Sequence, residues 1–376
     1  MDTPLTANLQ PQARSLYGPW ADVLLLGGGS VIAMLLLRAL DLEGESIVVL
    51  AGVMLFLANF MNHPHFAVSY QIFYSSWADV KSGAMPADLR RRWWIAGVIA
   101  PVLLAVGIAA GAFMRINGNG LVLAVVMTLM GVLVGWHYVK QGFGMAMVDA
   151  ALKKRYWPAP ARKALLMNAY AIWGAAWMVG NSTAVARNFW GVIGIDYVVP
   201  GPLAAAAVII ACGTTTWCGL AMYRCISQWR RENLSWKQWP LAGLVAYFIT
   251  LYLWMGLLGL EPAFVLVIPF FHSLQYMTVV SRYKSNEASA HGWTRMRMVW
   301  FVMTAVFLGG MGFWLLPGVL DYLSTGQIPY FDTKVAIGIA CAWIFINVHH
   351  YLIDNVLWRQ GNPKVKQFLF DAQPAR

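Results

Sequence analysis

Long apolar stretches, each about as long as a helix that crosses a lipid bilayer, recur along the whole sequence. Such a helix needs about 20 mostly apolar residues, and 59% of the 376 residues are hydrophobic. We place ten of these stretches, at 20–40, 46–70, 93–114, 120–147, 164–185, 202–223, 239–259, 262–281, 297–316 and 334–358. We therefore expect one all-α domain over residues 1–376, a polytopic membrane bundle of about ten transmembrane helices.

The scarcity of charge supports the same fold class and excludes others. Charged residues make up 11% of the chain, whereas an average soluble domain has about a quarter. A soluble enzyme would lack the polar surface that it needs, and the net charge of +11 is not gathered on a polar domain, as nucleic-acid binding would require. The expected partners are membrane lipids and an apolar small molecule, with no nucleic acid. The oligomeric state is left open by the sequence.

The basic residues alternate from one connection to the next. Most of them follow an even-numbered stretch, in the segments 81–92, 153–163, 224–237, 282–297 and 359–376. Cytoplasmic loops of membrane proteins carry an excess of Lys and Arg. The alternation therefore predicts that both termini are cytoplasmic, and we expect the bacterial inner membrane as the location.

Six of the seven histidines fall within apolar stretches, and all six are on even-numbered ones. They are His63 and His65 in the second stretch, His137 in the fourth, His272 in the eighth, and His349 and His350 in the tenth. Each lies in the middle or second half of its stretch. With a rise of about 1.5 Å per residue, four helices running in one direction would bring imidazoles to one layer of the membrane.

Histidines in such a layer are suited to binding a metal. A single histidine in a membrane helix commonly only bonds a neighbouring helix, but ionisable groups inside a bilayer usually mark a functional site. Imidazole is a ligand for iron, zinc and copper. Asp354 lies four residues after His350, where it could orient the ring, although pairing with Arg359 is an equal alternative. Because Pro64 should kink the second stretch, we expect only one of His63 and His65 to face inward.

Polar residues also follow His137 and His272 at helical spacing. Lys140 follows His137 by three residues and either extends to the cytoplasmic edge or attracts an anionic oxygen species or a lipid headgroup. Gln275 and Tyr276 follow His272 by three and four residues. We expect them to line the open face of a metal site.

Four short runs of the sequence resemble the Brp/Blh family of membrane-bound β-carotene 15,15′-dioxygenases. The runs are HPHFAVSY (63–70), WHYVKQGFGMA (136–146), FFHSLQY (270–276) and VHHYLIDNVLWR (348–359). The resemblance implies that His65, His137 and His272 are iron ligands, with His350 near them. Two departures are that Tyr276 stands where the family has a second histidine, and that ten stretches exceed the span count associated with the family.

The leading hypothesis is a membrane oxygenase with histidine-ligated non-haem iron that acts on a lipid or an isoprenoid or carotenoid-like substrate. In this hypothesis His65, His137, His272 and His350 bind the metal. A second enzyme hypothesis adds His63 and His349 as ligands of a second ion. Other hypotheses are a haem-b or other metal-binding electron-transfer subunit, and a metal or proton transporter with a histidine relay. Zinc is the remaining alternative to iron.

Overall fold

The computed structural model describes residues 15–183, 188–189, 192–195, 197–256, 261–326, 336–359 and 361–371. Most of these residues are helical. The strands in this part of the chain are Asn188–Phe189 and Val192–Ile193, which pair antiparallel over two residues each. The predicted all-α class is confirmed.

Seven helical segments of the described chain are long and apolar enough to cross a membrane. They are Pro19–Leu40, Glu45–Ser82, Ala87–Ile116, Leu121–Leu152, Gly201–Arg231, Arg295–Leu323 and Ile337–Leu357. Each of them contains most of one of the ten predicted stretches. The sequence thus located these helices, and their composition agrees with a membrane protein.

The other three predicted stretches are helical but differ in length or polarity. The stretch at 164–185 lies on Ala159–Gly180, and 239–259 on the shorter helix Leu241–Gly256, since 257–260 are outside the described residues. The stretch at 262–281 is a 3₁₀ turn, Pro262–Leu266, followed by the helix Ile268–Ala290. That helix carries many buried polar residues, so the number of ten spans remains a prediction.

The second predicted stretch is divided by a turn. Its first helix, Glu45–Ala58, ends before the turn at 59–61, and a new helix begins at Asn62. Pro64 is therefore in the first turn of the second helix, where its missing N–H would have had no helical partner. The proline thus marks a helix start and not a kink within one helix.

Four helices carry the buried histidines, and we number them in chain order. They are α1 (Asn62–Ser75), α2 (Leu121–Leu152), α3 (Ile268–Ala290) and α4 (Ile337–Leu357). Helix α4 packs on α1 and α2, and α3 packs on α1. This packing brings all four helices to one histidine layer.

The apolar core that α1, α3 and α4 share lies on the C-terminal side of the histidine layer. One cluster contains Val68 and Ile72 of α1, Val279 of α3, and Ile353 and Val356 of α4. Each of these residues is one to two turns after the histidine on its own helix. The cluster holds the three helices together next to the histidines and so fixes the positions of the imidazoles.

Candidate metal centre

Four imidazoles, one from each numbered helix, converge inside the bundle. His65, His137, His272 and His350 each offer a ring nitrogen that lies within 4.8 Å of the other three. All four side chains are buried, with at most 5% exposure. Ligand atoms around one metal ion at about 2 Å must lie within about 4 Å of one another, so small shifts of these side chains would accommodate an ion.

The four imidazole rings are arranged in a cycle, in which each ring is next to two others. Ring centroids are 4.5 Å apart for His65 and His350, 5.0 Å for His350 and His137, 4.9 Å for His137 and His272, and 5.1 Å for His272 and His65. Neighbouring rings are inclined by 67–87°. The edges of the rings, which carry the nitrogens, can therefore point to a common centre.

Each of the four rings has a buried nitrogen without a hydrogen-bond partner in the described part of the chain. These atoms are Nε2 of His65, Nε2 of His137, Nδ1 of His272 and both ring nitrogens of His350. A buried polar atom without a partner costs about 1–3 kcal/mol, and five at one place are unusual. Coordination to a metal ion would satisfy them, so the residues fit a metal.

Two of the imidazoles also have a polar side chain beside one ring nitrogen. Ser273 Oγ lies 3.2 Å from Nδ1 of His65, which leaves Nε2 of that ring free. Asp354 Oδ2 lies 3.2 Å from Nε2 of His350, but the two groups are not aligned for a hydrogen bond. Groups of this kind set the orientation of a metal-binding imidazole. The predicted proximity of Asp354 and His350 is present.

Tyr276 borders the histidines without offering a free hydroxyl. Its ring centroid is 4.6 Å from that of His65. The hydroxyl accepts hydrogen bonds from Ser69 at 2.6 Å and from Trp358 at 3.2 Å, and donates to Asp354 at 3.1 Å. With all three hydrogen bonds made, Tyr276 positions Asp354 and offers no free hydroxyl to a metal in this arrangement.

Gln275 faces away from the centre, unlike the expectation that it lines an open face. Its side-chain amide donates to the carbonyl of Leu26 and lies 3.5 Å from Thr250 Oγ1, and its oxygen accepts from Gln141 at 3.0 Å. Positions three and four residues after His272 share its helix face, so the direction of Gln275 is set by these partners and not by its spacing.

His63 and His349 lie within two residues of His65 and His350 in the sequence, but their rings are not part of the group of four. The His63 ring stacks on Phe313 at 4.3 Å, and its Nδ1 lies 3.3 Å from Asn59 Oδ1. Both ring nitrogens of His349 make hydrogen bonds, to the Tyr70 hydroxyl at 2.8 Å and the Ala96 carbonyl at 2.9 Å. The arrangement gives no support to a second ion held by these two residues.

Two cavities border the histidine group. The larger, of about 390 Å³, is lined by His137, Tyr276 and Asp354 and extends to Lys140, whose ammonium is 5.6 Å from the ring of Phe143. The smaller, of about 190 Å³, is lined by His272. Tyr351, which stacks on His137 at 4.5 Å, lines both. The histidine group therefore lies between the two cavities.

The order of lining residues along the helices is the same in α2, α3 and α4. Those of the smaller cavity precede or adjoin the histidine, namely Met130, Val134, Tyr138, Pro269, Trp343 and Asn347. Those of the larger cavity adjoin or follow it, among them Trp136, Lys140, Gly144, Tyr276, Val279, Asn355 and Arg359. The three helices therefore pass through the histidine layer in one direction, as the sequence predicted for its even-numbered stretches.

Several contacts at the centre could not be predicted from the sequence. Ser69, Ser273 and Tyr351 each contact a residue of another helix, and serine and tyrosine are common in helices of many kinds.

Comparison of the chain with protein-family models, curated proteins and solved structures found no match.

Proposed function

We propose that this chain is an integral membrane protein whose four histidines hold a single non-haem iron ion, and that it oxygenates an apolar lipid or isoprenoid-like substrate. The observation that carries the proposal is the convergence of His65, His137, His272 and His350, each with a buried nitrogen that lacks a partner. The order of the four histidine runs, which resembles that of the β-carotene dioxygenases, supports the choice of reaction.

The outer faces of the helices support insertion into a membrane. Large apolar side chains are exposed along the long helices, for example Leu103 at 67%, Ile209 at 72% and Leu323 at 74%. A soluble monomer rarely exposes continuous apolar surface of this extent. Lipid tails would cover these side chains, and the basic connections would then orient the bundle.

The donor set is compatible with iron, and the proposed oxygenation is what selects iron over zinc. Four neutral imidazoles suit iron, zinc or copper, and an iron site with four protein ligands keeps coordination positions open for small molecules. Zinc with four protein ligands usually forms a closed structural site. A haem would have to separate two axial imidazoles by the porphyrin, and four nitrogens within 4.8 Å of one another suit a single bare ion better.

The chain's own residues would provide binding and orientation for the reaction. Bound iron would supply oxygen activation. Tyr351 and the larger cavity would seat the substrate beside His137. Tyr276 and Asp354 would keep His350 in place and hold a proton at the tyrosine hydroxyl. The buried position excludes water from the reacting groups.

Metal analysis of the detergent-purified protein tests the centre. We expect about one iron per chain in the wild type and loss of iron in His65→Gln. His63→Gln is the matched control, since His63 is two residues away on the same helix and equally buried. His291→Gln, an exposed residue outside the centre, controls for purification. A wild-type protein without stoichiometric metal would refute the proposal, and zinc in its place would refute the oxygenase.

Loss of carotenoid colour tests the substrate class. In cells that accumulate β-carotene, loss of its visible absorbance with the wild type but not with His137→Ala would assign an isoprenoid hydrocarbon. Retention of the absorbance with both would leave a lipid with a polar end as the substrate. Protein with non-haem iron should lack the strong Soret band of haem. A strong Soret band in the purified protein would instead support the haem alternative.

The pair of cavities also favours a second function, metal or proton transport. A transport path must reach a central site from two sides, and the two cavities border the histidine group in this way. Uptake of iron or protons into vesicles that contain the wild type, and its absence with His137→Ala, would support transport over oxygenation.

A further inference from the structure

The larger cavity contains three cations and one carboxylate. Lys140, Arg162 and Arg359 line it, and the only carboxylate among its described lining residues is Asp354. Asp354 already accepts a hydrogen bond from Tyr276 and lies beside His350. The cavity therefore has an excess of positive charge that its own lining does not neutralise.

None of the three cations forms an ion pair among the residues that the structure describes. Lys140 and Arg359 repel each other electrostatically. Asp88 attracts Arg359, but Arg92 repels it. A cleft lined by charges of one sign raises the local concentration of ions of the other sign, so this part of the cavity is suited to an anionic group.

The rest of the lining is mostly apolar. Phe143, Met145, Val148, Leu369 and Phe370 contribute side chains to the cavity wall. The volume of about 390 Å³ is within the range of about 300–1,000 Å³ for small-molecule sites. A ligand with one charged end and an apolar body would match both parts of the wall.

The positions of the cations along the helices determine how such a ligand would lie. Lys140 is three residues after His137, an axial rise of about 5 Å. Arg359 lies two residues beyond the end of α4 at Leu357, and Leu357 is itself about 10 Å along the helix from His350. Arg162 is exposed and marks the end of the cavity that reaches the surface. The charged end would be near the surface and the apolar body would extend to the histidines.

We propose that the larger cavity binds an amphipathic substrate whose carboxylate or phosphate contacts Lys140, Arg162 and Arg359 and whose apolar body extends to the histidine group. This inference rests on the proposed function, because it names the substrate class of the same metal centre. The anionic group comes from a single-chain amphiphile, such as a long-chain fatty acid, or from the headgroup of a membrane phospholipid.

Equilibrium binding of three radiolabelled probes to the detergent-purified full chain tests the proposal and separates the two sources. The probes are oleate, methyl oleate and phosphatidylglycerol. Since hydrogen bonds to charged groups are among the stronger ones, an anionic probe should bind at least about tenfold more tightly than methyl oleate. The tighter binder of oleate and phosphatidylglycerol identifies the source. Equal binding of oleate, phosphatidylglycerol and methyl oleate, or no saturable binding of any probe, overturns the proposal.

Charge-removing variants assign the effect to the cavity. Lys140→Gln with Arg359→Gln should reduce the preference for the anionic probe by at least about tenfold. Arg162→Gln should reduce it as well, and being exposed it leaves the core intact. Lys163→Gln is the matched control, because Lys163 is adjacent and exposed but does not line the cavity. An equal effect of Lys163→Gln and Arg162→Gln would refute the assignment.

Iron content measured on the same samples separates this inference from the proposed function. Iron binding without preference for an anionic probe would overturn only the substrate class. Preference for an anionic probe in a protein that binds no metal would overturn the metal centre and leave an amphiphile-binding cavity.

Discussion

Tyr276 donates its hydroxyl hydrogen to Oδ1 of Asp354 at 3.1 Å, across the interface between α3 and α4. The other carboxylate oxygen of Asp354 lies 3.2 Å from Nε2 of His350. The tyrosine therefore holds the carboxylate beside one of the four histidines. In this role Tyr276 acts on the metal centre through Asp354 and His350.

Asp354→Asn should weaken metal binding without removing it. The amide is similar in size but cannot offer a negatively charged oxygen to the imidazole of His350, and loss of such partners typically costs about 10–100-fold in metal affinity. Titration against a competing chelator measures this change. Tyr276→Phe, which removes the hydrogen bond to Asp354 together with those from Ser69 and Trp358 but leaves the carboxylate beside His350, should have a smaller effect on metal affinity. Equal affinity of Asp354→Asn and the wild type would show that the carboxylate does not orient His350.

The histidine layer could be predicted from the sequence, whereas the orientation of each histidine could not. The constant rise of a helix places residues of equal distance from their helix starts at similar depth. Which of His63 and His65 faces the centre depends on the rotation of α1, and the turn at 59–61 sets that rotation. The same is true of His349 and His350, where packing of neighbouring helices decides which ring turns inward.

His349→Phe should destabilise the protein without changing its metal content. The substitution leaves the Tyr70 hydroxyl and the Ala96 carbonyl without their partner at 2.8 and 2.9 Å. A buried polar group without a partner costs about 1–3 kcal/mol, which detergent-unfolding titration would measure. Loss of metal from a protein of normal stability would instead place His349 in the centre.

Asp149→Ala should be among the most destabilising substitutions outside the centre. Asp149 pairs with Lys153 at 2.9 Å and accepts from the Gly243 amide at 2.8 Å, and both charged side chains are buried. Removal of one partner of a buried ion pair costs about 3–5 kcal/mol.

The pair of Asp79 and Lys364 provides the control for this prediction. Its N–O distance is 2.7 Å, but the two side chains are 34% and 32% exposed. Ion pairs at the surface contribute about 0–1 kcal/mol, so Asp79→Ala should change the free energy of unfolding by no more than that. Similar losses for Asp149→Ala and Asp79→Ala would show that burial does not determine the contribution of these pairs.

Helix α3 covers most of a predicted spanning stretch, but it is not among the seven helices that are long and apolar enough to cross a membrane. Its polar residues are the reason. Ser273, Gln275 and Asn286 are buried within the protein, where hydrogen bonds to other helices satisfy them. The buried Glu287 pairs instead with Lys284 of the same helix. Gln275 in particular contacts Leu26 and Gln141. These partners come from distant parts of the chain, so neither their positions nor the direction in which Gln275 points could be read from the sequence of α3.

Gly309→Ala should push two helices apart next to the metal centre. A Cβ at Gly309, on the helix Arg295–Gly310, would lie 2.9 Å from the backbone carbon of His63 and 3.1 Å from its carbonyl oxygen. Backbone atoms of α1 cannot move aside as a side chain can, and overpacking of this kind costs about 1–3 kcal/mol. Since α1 also carries His65, metal affinity should fall together with stability.

Gly310→Ala is the matched control, because a Cβ at the next residue has no atom within 4 Å. It should leave stability and metal content within error of the wild type, or stabilise the helix by up to about 1 kcal/mol through the higher helix propensity of alanine. Unfolding titrations and metal analysis of both variants, purified in parallel, measure the difference. Equal behaviour of Gly309→Ala and Gly310→Ala would show that close contact between these helices does not position α1.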